Sequence, residues 1–323
     1  HERLVMAPVE LSVQTIFSVL EHRAGDVQRA YELLRRALEL IEPGSHREAL
    51  IRANLSTLSI ERGRLAEAQE LIREAHETLL RLGVSDLAES YSMLGHAARA
   101  RGDLAAAEEA YLAALEQARK LGMPRGIAGQ LHNLGSLAQD REDLVAARSY
   151  YERALSDETL READHWGTAL TLSELGEVEL RAGNLAAAED YVRRALERRR
   201  EMGSEGPDVA ASLRQLVDLA RLRGRPNAAL AHYREALAMH RAVAAASSQV
   251  ATDLVRIGLL ELELGRRADA ESPLAEALRI RRRLLPSTAM EAEAAYALGR
   301  LRLEQGRRAE TLDLYGSAVR ALD

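Results

Sequence analysis

Cysteine is absent from all 323 residues. That excludes a disulfide framework and any cysteine-ligated zinc or iron–sulfur centre, and it suits a reducing cytoplasm, the compartment expected here. Aromatic residues make up 3%, with one Trp and one Phe. A core this poor in rings is built from Ala and Leu, which favours close-packed helices over β-sandwiches and barrels. Basic charge is carried almost wholly by Arg, since Lys120 is the sole lysine; this is the residue bias expected of a GC-rich bacterial gene. There is no general excess of positive charge. The net charge of −6 and pI near 5.9 argue against wrapping nucleic acid through a basic field. No apolar run approaches the ~18 residues of a membrane span, so no membrane partner is expected. No basic-then-apolar leader is visible. What is abundant is apolar aliphatic character, 47% counting every hydrophobic type, enough for a continuous core.

The chain repeats itself. Gly25, Gly63, Gly102, Gly183, Gly224, Gly265 and Gly306 share their surroundings at spacings of 38, 39, 81, 41, 41 and 41. The long gap holds one further unit in which Glu142 stands where Gly would be, giving about eight units. Five residues after each hinge stands a small residue, as in Ala107, Ala147, Ala188 and Ala229, with Thr311 in the last unit. Nine after stands a larger one, as in Ile72, Tyr111, Tyr151, Val192, Leu274 and Tyr315, and twelve after an Ala recurs. Steps of four and three place these residues on one helical face. Before the hinge, Leu94-Gly95, Leu134-Gly135, Leu175-Gly176, Ile257-Gly258 and Leu298-Gly299 recur in register. Glycine inside a helix costs ~1 kcal/mol relative to Ala, so its recurrence implies close approach of the next helix. Each unit therefore reads as helix, tight turn, helix. Asp26, Asp103, Asp143 and Asn184 follow the hinge as candidate caps, and Pro273 inside a second helix predicts a local kink.

The Leu-Gly pair, hinge Gly, Ala, aromatic and second Ala, in that order, resemble the tetratricopeptide repeat over nearly the whole chain. Units longer than the usual 34 residues are similar to those of kinesin light chains and bacterial signalling arrays. The resemblance implies an all-α fold, a right-handed α-solenoid superhelix whose first helices line a groove. A single repeat domain is expected over residues 1–323, as a fragment of a larger protein, with units at about 9–45, 46–84, 85–123, 124–165, 166–206, 207–247, 248–288 and 289–323.

Catalytic patterns are missing from the sequence: no helical His pair at zinc spacing, no G-x-S-x-G elbow and no phosphate-cradling loop. No catalytic residue, metal or cofactor is assigned. Arg198-Arg199-Arg200 and Arg281-Arg282-Arg283 end second helices, where cations complement the helix terminus. Trp166 reads as a plug between successive hairpins, with an exposed hot spot as the competing reading.

Residues ten, six and three before each hinge are expected to face the groove. In order these are Ser92, His96 and Arg99; His132, Ser136 and Gln139; Ser173, Glu177 and Leu180; and Arg214, Asp218 and Arg221. The same positions further on give Val255, Leu259 and Leu262, then Tyr296, Arg300 and Leu303, an apolar stretch. The middle of this face is polar, with Arg and His exceeding acids. Arg pairs bidentately with carboxylates, and groove His can bond a peptide backbone. The competing reading has Arg214, Asp218 and Arg221 pairing with one another at helical spacing. The Lys/Asn carboxylate clamp of some family members is not matched, because no Lys lies in the groove. A peptide or protein partner is thus expected, held by a scaffold. The alternative is a regulatory or sensor arm of a larger bacterial effector.

Overall fold

The computed structural model describes residues 26–84, 87–156, 165–203 and 207–322, apart from the side chains of His165, Trp166 and Pro207. The expected role of Trp166 and the first helix of the first unit therefore lie outside the described residues. Among those described, the regular structure is entirely helical, as the spacing predicts. The chain divides into two compact blocks, residues 1–167 and 168–323.

The first block contains α1 (Val27–Leu40), α2 (His46–Glu61), α3 (Leu65–Arg81), α4 (Ala88–Ala100), α5 (Leu104–Lys120), α6 (Pro124–Asp140) and α7 (Leu144–Ala154). The second contains α8 (His165–Arg181, entering from the boundary), α9 (Leu185–Glu201), α10 (Pro207–Leu222), α11 (Pro226–Val243), α12 (Ser248–Glu263), α13 (Arg267–Leu284), α14 (Ala289–Glu304) and α15 (Arg308–Arg320). Consecutive helices pack as antiparallel hairpins, α2 with α3, α4 with α5, and so on. First helices also reach the first helix of the next hairpin: α2 touches α4, α4 touches α6, and α12 touches α14. Second helices make no comparable contact with one another among the described residues.

The hairpins close through the pattern the sequence repeats. Ala107, Ala147, Ala188 and Ala229 are all 0% exposed. The mid-helix glycines explain themselves by contact. A Cβ built on Gly135 would meet the Tyr151 ring at 2.6–2.9 Å, and one on Gly176 would meet Val192 Cγ2 at 2.5 Å. Gly95 faces Tyr111, Gly258 faces Leu274, and Gly299 faces Tyr315 in the same way. Each large residue nine after the hinge thus seats on bare backbone of its partner helix. Tyr111, Tyr151 and Leu274 are fully buried as a result.

Repeat six breaks this rule. Val217 occupies the glycine position, and the facing Tyr233 is only half-buried. An isopropyl group fills the space the ring takes elsewhere, so the ring stands away. Repeat two substitutes Ser56, whose hydroxyl donates to the Ala68 carbonyl at 2.8 Å.

The turns follow the expected chemistry with two differences. Gly102 takes φ +79 in the left-handed region, and Glu142 takes φ 60 at the equivalent place despite its side chain. Asp26, Asp103 and Asp143 accept from Arg29 N, Ala106 N and Ala146 N at 2.8–3.1 Å. Asn184 makes no capping bond to α9; its Nδ2 donates instead to the buried Glu179 Oε2 at 2.7 Å, a charge-assisted bond. Helix α13 runs unbroken from Arg267 to Leu284 through Pro273.

Two glycines of α6 give opposite outcomes. Gly135→Ala forces the Tyr151 ring to move and is expected to cost about 1–3 kcal/mol. Gly129→Ala meets nothing within 4 Å and is expected to stabilise by up to about 1 kcal/mol through helix propensity. Urea unfolding of the two variants checks this. Glu142→Gly relieves the left-handed side chain and is expected to raise stability by about 0.5–1 kcal/mol in the same measurement.

Candidate functional site

The first helices of the first block bring α4 and α6 side by side, and with them His96, Arg99, His132 and Gln139. Arg99 is spent within this surface. Its Nε and Nη2 clasp both oxygens of Asp140, the latter at 3.0 Å, one repeat on. The Tyr111 hydroxyl and His96 Nδ1 are hydrogen-bonded at 2.9 Å, and burial pushes the Tyr111 phenol up to about 12. The Tyr151 hydroxyl is held between Ser136 Oγ at 3.0 Å and Gln139 Oε1 at 2.5 Å. Asn133 donates to Ser92 Oγ at 3.3 Å, joining α6 to α4. A cavity of about 470 Å³ opens beside Met93, His96, Arg99 and Asp140, but its arginine is already neutralised.

In this block three imidazoles are held neutral. Desolvation lowers the pKa of His76, and of His96 with help from Arg99. His132 is pushed down to about 4, first by desolvation and then by the charge of Arg99 and the neighbouring His96.

The second block carries a different surface. Between α10, α11 and α12 lies a pocket of about 460 Å³. Its apolar wall includes Leu213, Val217, Tyr233, Ala236 and Met290. Its rim holds Arg214 and Asp218 of α10, His232 of α11 and Arg256 of α12. Arg214, Asp218 and Arg256 are exposed and make no ion pair or side-chain hydrogen bond among the described residues. At the α11–α12 seam His240 Nδ1 meets Asp253 Oδ2 at 2.6 Å. Burial raises the Asp253 carboxyl, against the opposing pull of His240. Below the rim, Arg281 is 1% exposed and donates to Ser248 Oγ at 2.9 Å and Thr252 Oγ1 at 2.5 Å.

Family models described as tetratricopeptide repeat match residues 88–121, 167–242 and 254–287. The chain carries tetratricopeptide repeats over these segments. Solved structures agree on the fold. BtubC (BKLC) from P. vanneervenii is 24% identical at a TM-score of 0.57, covering 70% of this chain and 92% of its own. The apo quorum sensor NprR from B. thuringiensis is 13% identical at 0.61, covering 97% and 87%. A signal-transduction ATPase of the STAND type with a tetratricopeptide repeat sensor, from Pyrococcus horikoshii, is 14% identical at 0.50, covering 95% and 41%. A search of curated proteins finds no match.

Within the repeat array the expected groove positions fare unequally. His96, Arg214, Asp218 and Arg221 are exposed, and Arg99, His132, Gln139 and Glu177 are half-buried. Ser92 and Ser136 are each only 9% exposed, because their small side chains sink beneath longer neighbours and their hydroxyls are taken by Asn133 and Tyr151. The expected self-pairing of Arg214, Asp218 and Arg221 is not seen; Arg221 instead reaches Glu263 of the next first helix at 4.0 Å. The apolar stretch is also corrected. Val255 and Leu262 are 1% and 5% exposed and belong to the core, whereas Tyr296 and Leu303 stay more than half exposed. Arg256, one place along from Val255, is exposed instead. Spacing alone missed it because a one-residue step turns a helix by ~100°.

The arginine runs at second-helix ends are structural ties in the tetratricopeptide array. Arg199 is buried and donates to Ser212 of the next repeat, while Arg198 and Arg200 pair with Glu201 and Glu235. Arg282 pairs with Glu291 at 3.2 Å. Among the described residues no group of three or more His, Asp or Glu is placed to hold a metal, and no helix is long and apolar enough to cross a membrane.

The depressed histidines set a pH dependence. An imidazole at about 4 when folded and at its ordinary 6.5 when unfolded binds more protons in the unfolded state between those values. Stability is therefore full above about 6.5 and falls as pH drops toward 4. Thermal melts between pH 7.5 and 4.5 are expected to show this loss, and His132→Gln is expected to flatten it.

Proposed function

We propose that the array is a recognition module that holds a peptide or partner domain against its first helices. The carrying observation is the unspent chemistry of α10 and α12. Arg214, Asp218 and Arg256 surround an apolar pocket without pairing to one another. Other charges are consumed in ties such as Arg99–Asp140 and Arg267–Glu304. Exposed unpaired arginines beside apolar wall are the anchor chemistry of recognition surfaces. The groove residues of this reading are His96, Arg99, His132, Gln139, Glu177, Arg214, Asp218 and Arg221, with Ser92 and Ser136 beneath them.

A second reading makes the array the sensor arm of a larger effector. It draws on the likeness to a quorum sensor and to the repeat sensor of a signal-transduction ATPase. The two readings differ in what lies beyond the array, and both need the same first-helix surface. Neither gives the array a catalytic role.

The experiment is selection of binders from a random peptide library on the purified chain. Binding of the selected peptides is then measured to Arg214→Ala combined with Arg221→Ala. Both residues are exposed, so stability is expected to change by no more than about 0.5 kcal/mol. Affinity is expected to fall at least tenfold. Undiminished affinity in a folded variant would move the site off these helices.

A further inference from the structure

The pocket between α10, α11 and α12 exists because repeat six departs from the pattern of its neighbours. In repeats three, four and seven a glycine on the first helix receives the large residue nine after the hinge, and that residue is fully buried. In repeat six Val217 stands there and Tyr233 is held half out. Both residues line the cavity, with Leu213 and Ala236 beside them. With its seat taken by Val217, the Tyr233 ring stands at the wall of the cavity rather than within the hairpin.

The chemistry around that space is lopsided. The wall is largely apolar, and two exposed guanidinium groups, Arg214 and Arg256, stand on it from neighbouring repeats with no ion-pair partner among the described residues. Of the acids present, Asp253 is engaged by His240 and burial disfavours its charge. Asp218 alone remains exposed and unpaired, and it can accept from an N–H of a bound molecule. Unpaired arginines favour a carboxylate, which they bind with two parallel hydrogen bonds. A volume of about 460 Å³ fits one large side chain or a small organic acid.

We propose that this pocket binds a carboxylate attached to an apolar or aromatic body, and that Val217 is the residue that opens it. The apolar body lies against Val217, Leu213 and Tyr233, and the carboxylate meets Arg214 and Arg256. The first-block cavity cannot do the same, because Asp140 already occupies Arg99. This assignment deepens the recognition reading above by naming the chemistry one part of the surface selects.

Two sources supply such a group: a free small acid, or the C-terminal residue of a peptide chain. Calorimetric titration of the full chain distinguishes them with four probes: phenylacetate, its neutral isostere phenylacetamide, and an acetylated pentapeptide ending in Phe as free acid or as amide. Each acid is expected to bind at least tenfold more tightly than its amide. The tighter of the two acids identifies the source. Arg256→Met, which keeps the stem and removes the charge, is expected to weaken acid binding at least tenfold. Val217→Gly lets Tyr233 seat as its counterparts do and is expected to abolish binding of the tighter acid, with helical content unchanged by circular dichroism. Acid and amide binding equally would overturn the proposal. So would no binding of either acid at millimolar concentration, or full binding to folded Val217→Gly. If the probe acids fail while library peptides still depend on Arg214 and Arg221, the recognition reading stands and the pocket assignment alone falls. If the acids bind but no library peptide does, the reverse holds.

Discussion

Each hairpin depends on the meeting of a bare stretch of first-helix backbone with one large side chain of the second helix. Gly135 receives Tyr151, Gly258 receives Leu274, and the small residues at five and twelve after the hinge close the gap on either side. A methyl group on the glycine would collide with its partner, so hairpin geometry is set locally and repeated. Repetition then does the rest. Each hairpin covers the apolar flank of the one before it, and stability accumulates through neighbours rather than through one central core.

Where the contact is altered, the surface changes character. Val217 displaces Tyr233, and the cavity they line lies among charges that have no internal partner. The first block shows the opposite arrangement. There Tyr111 and Tyr151 are seated, their hydroxyls engage His96, Ser136 and Gln139, and Arg99 is clasped by Asp140. One block has tied up its inner polar groups, and the other has left a set of them available.

Charged residues serve two separate purposes along the chain. Some are buried ties between repeats: Glu261 is 0% exposed and takes Arg234 at 2.7 Å, and Arg302 joins Glu271 and Glu310 across α13, α14 and α15. Breaking such a tie leaves a charge in low dielectric and costs more than an exposed pair would. Others, such as Arg214 and Arg256, stay in water and are free to be satisfied by something else. Residue type cannot separate the two groups, because Arg serves in both.

The helical hairpins, their register and the buried Ala and glycine positions were legible in the sequence, because local period and steric size are written in consecutive residues. The mid-helix Gly95 and the capping Asp103 needed no coordinates, whereas the seating of the Tyr111 ring on Gly95 did. Even the odd repeat left a mark, since Val217 breaks a row of glycines. The fate of the polar residues was decided by tertiary structure alone. Ser92 and Ser136 sank below their neighbours, Arg99 found Asp140 some 41 residues away, Val255 turned into the core, and Arg256 turned outward. Which side chain is spent and which is free depends on the length and charge of residues in the adjoining hairpin. A repeat pattern specifies that hairpin's backbone but leaves its surface side chains unconstrained.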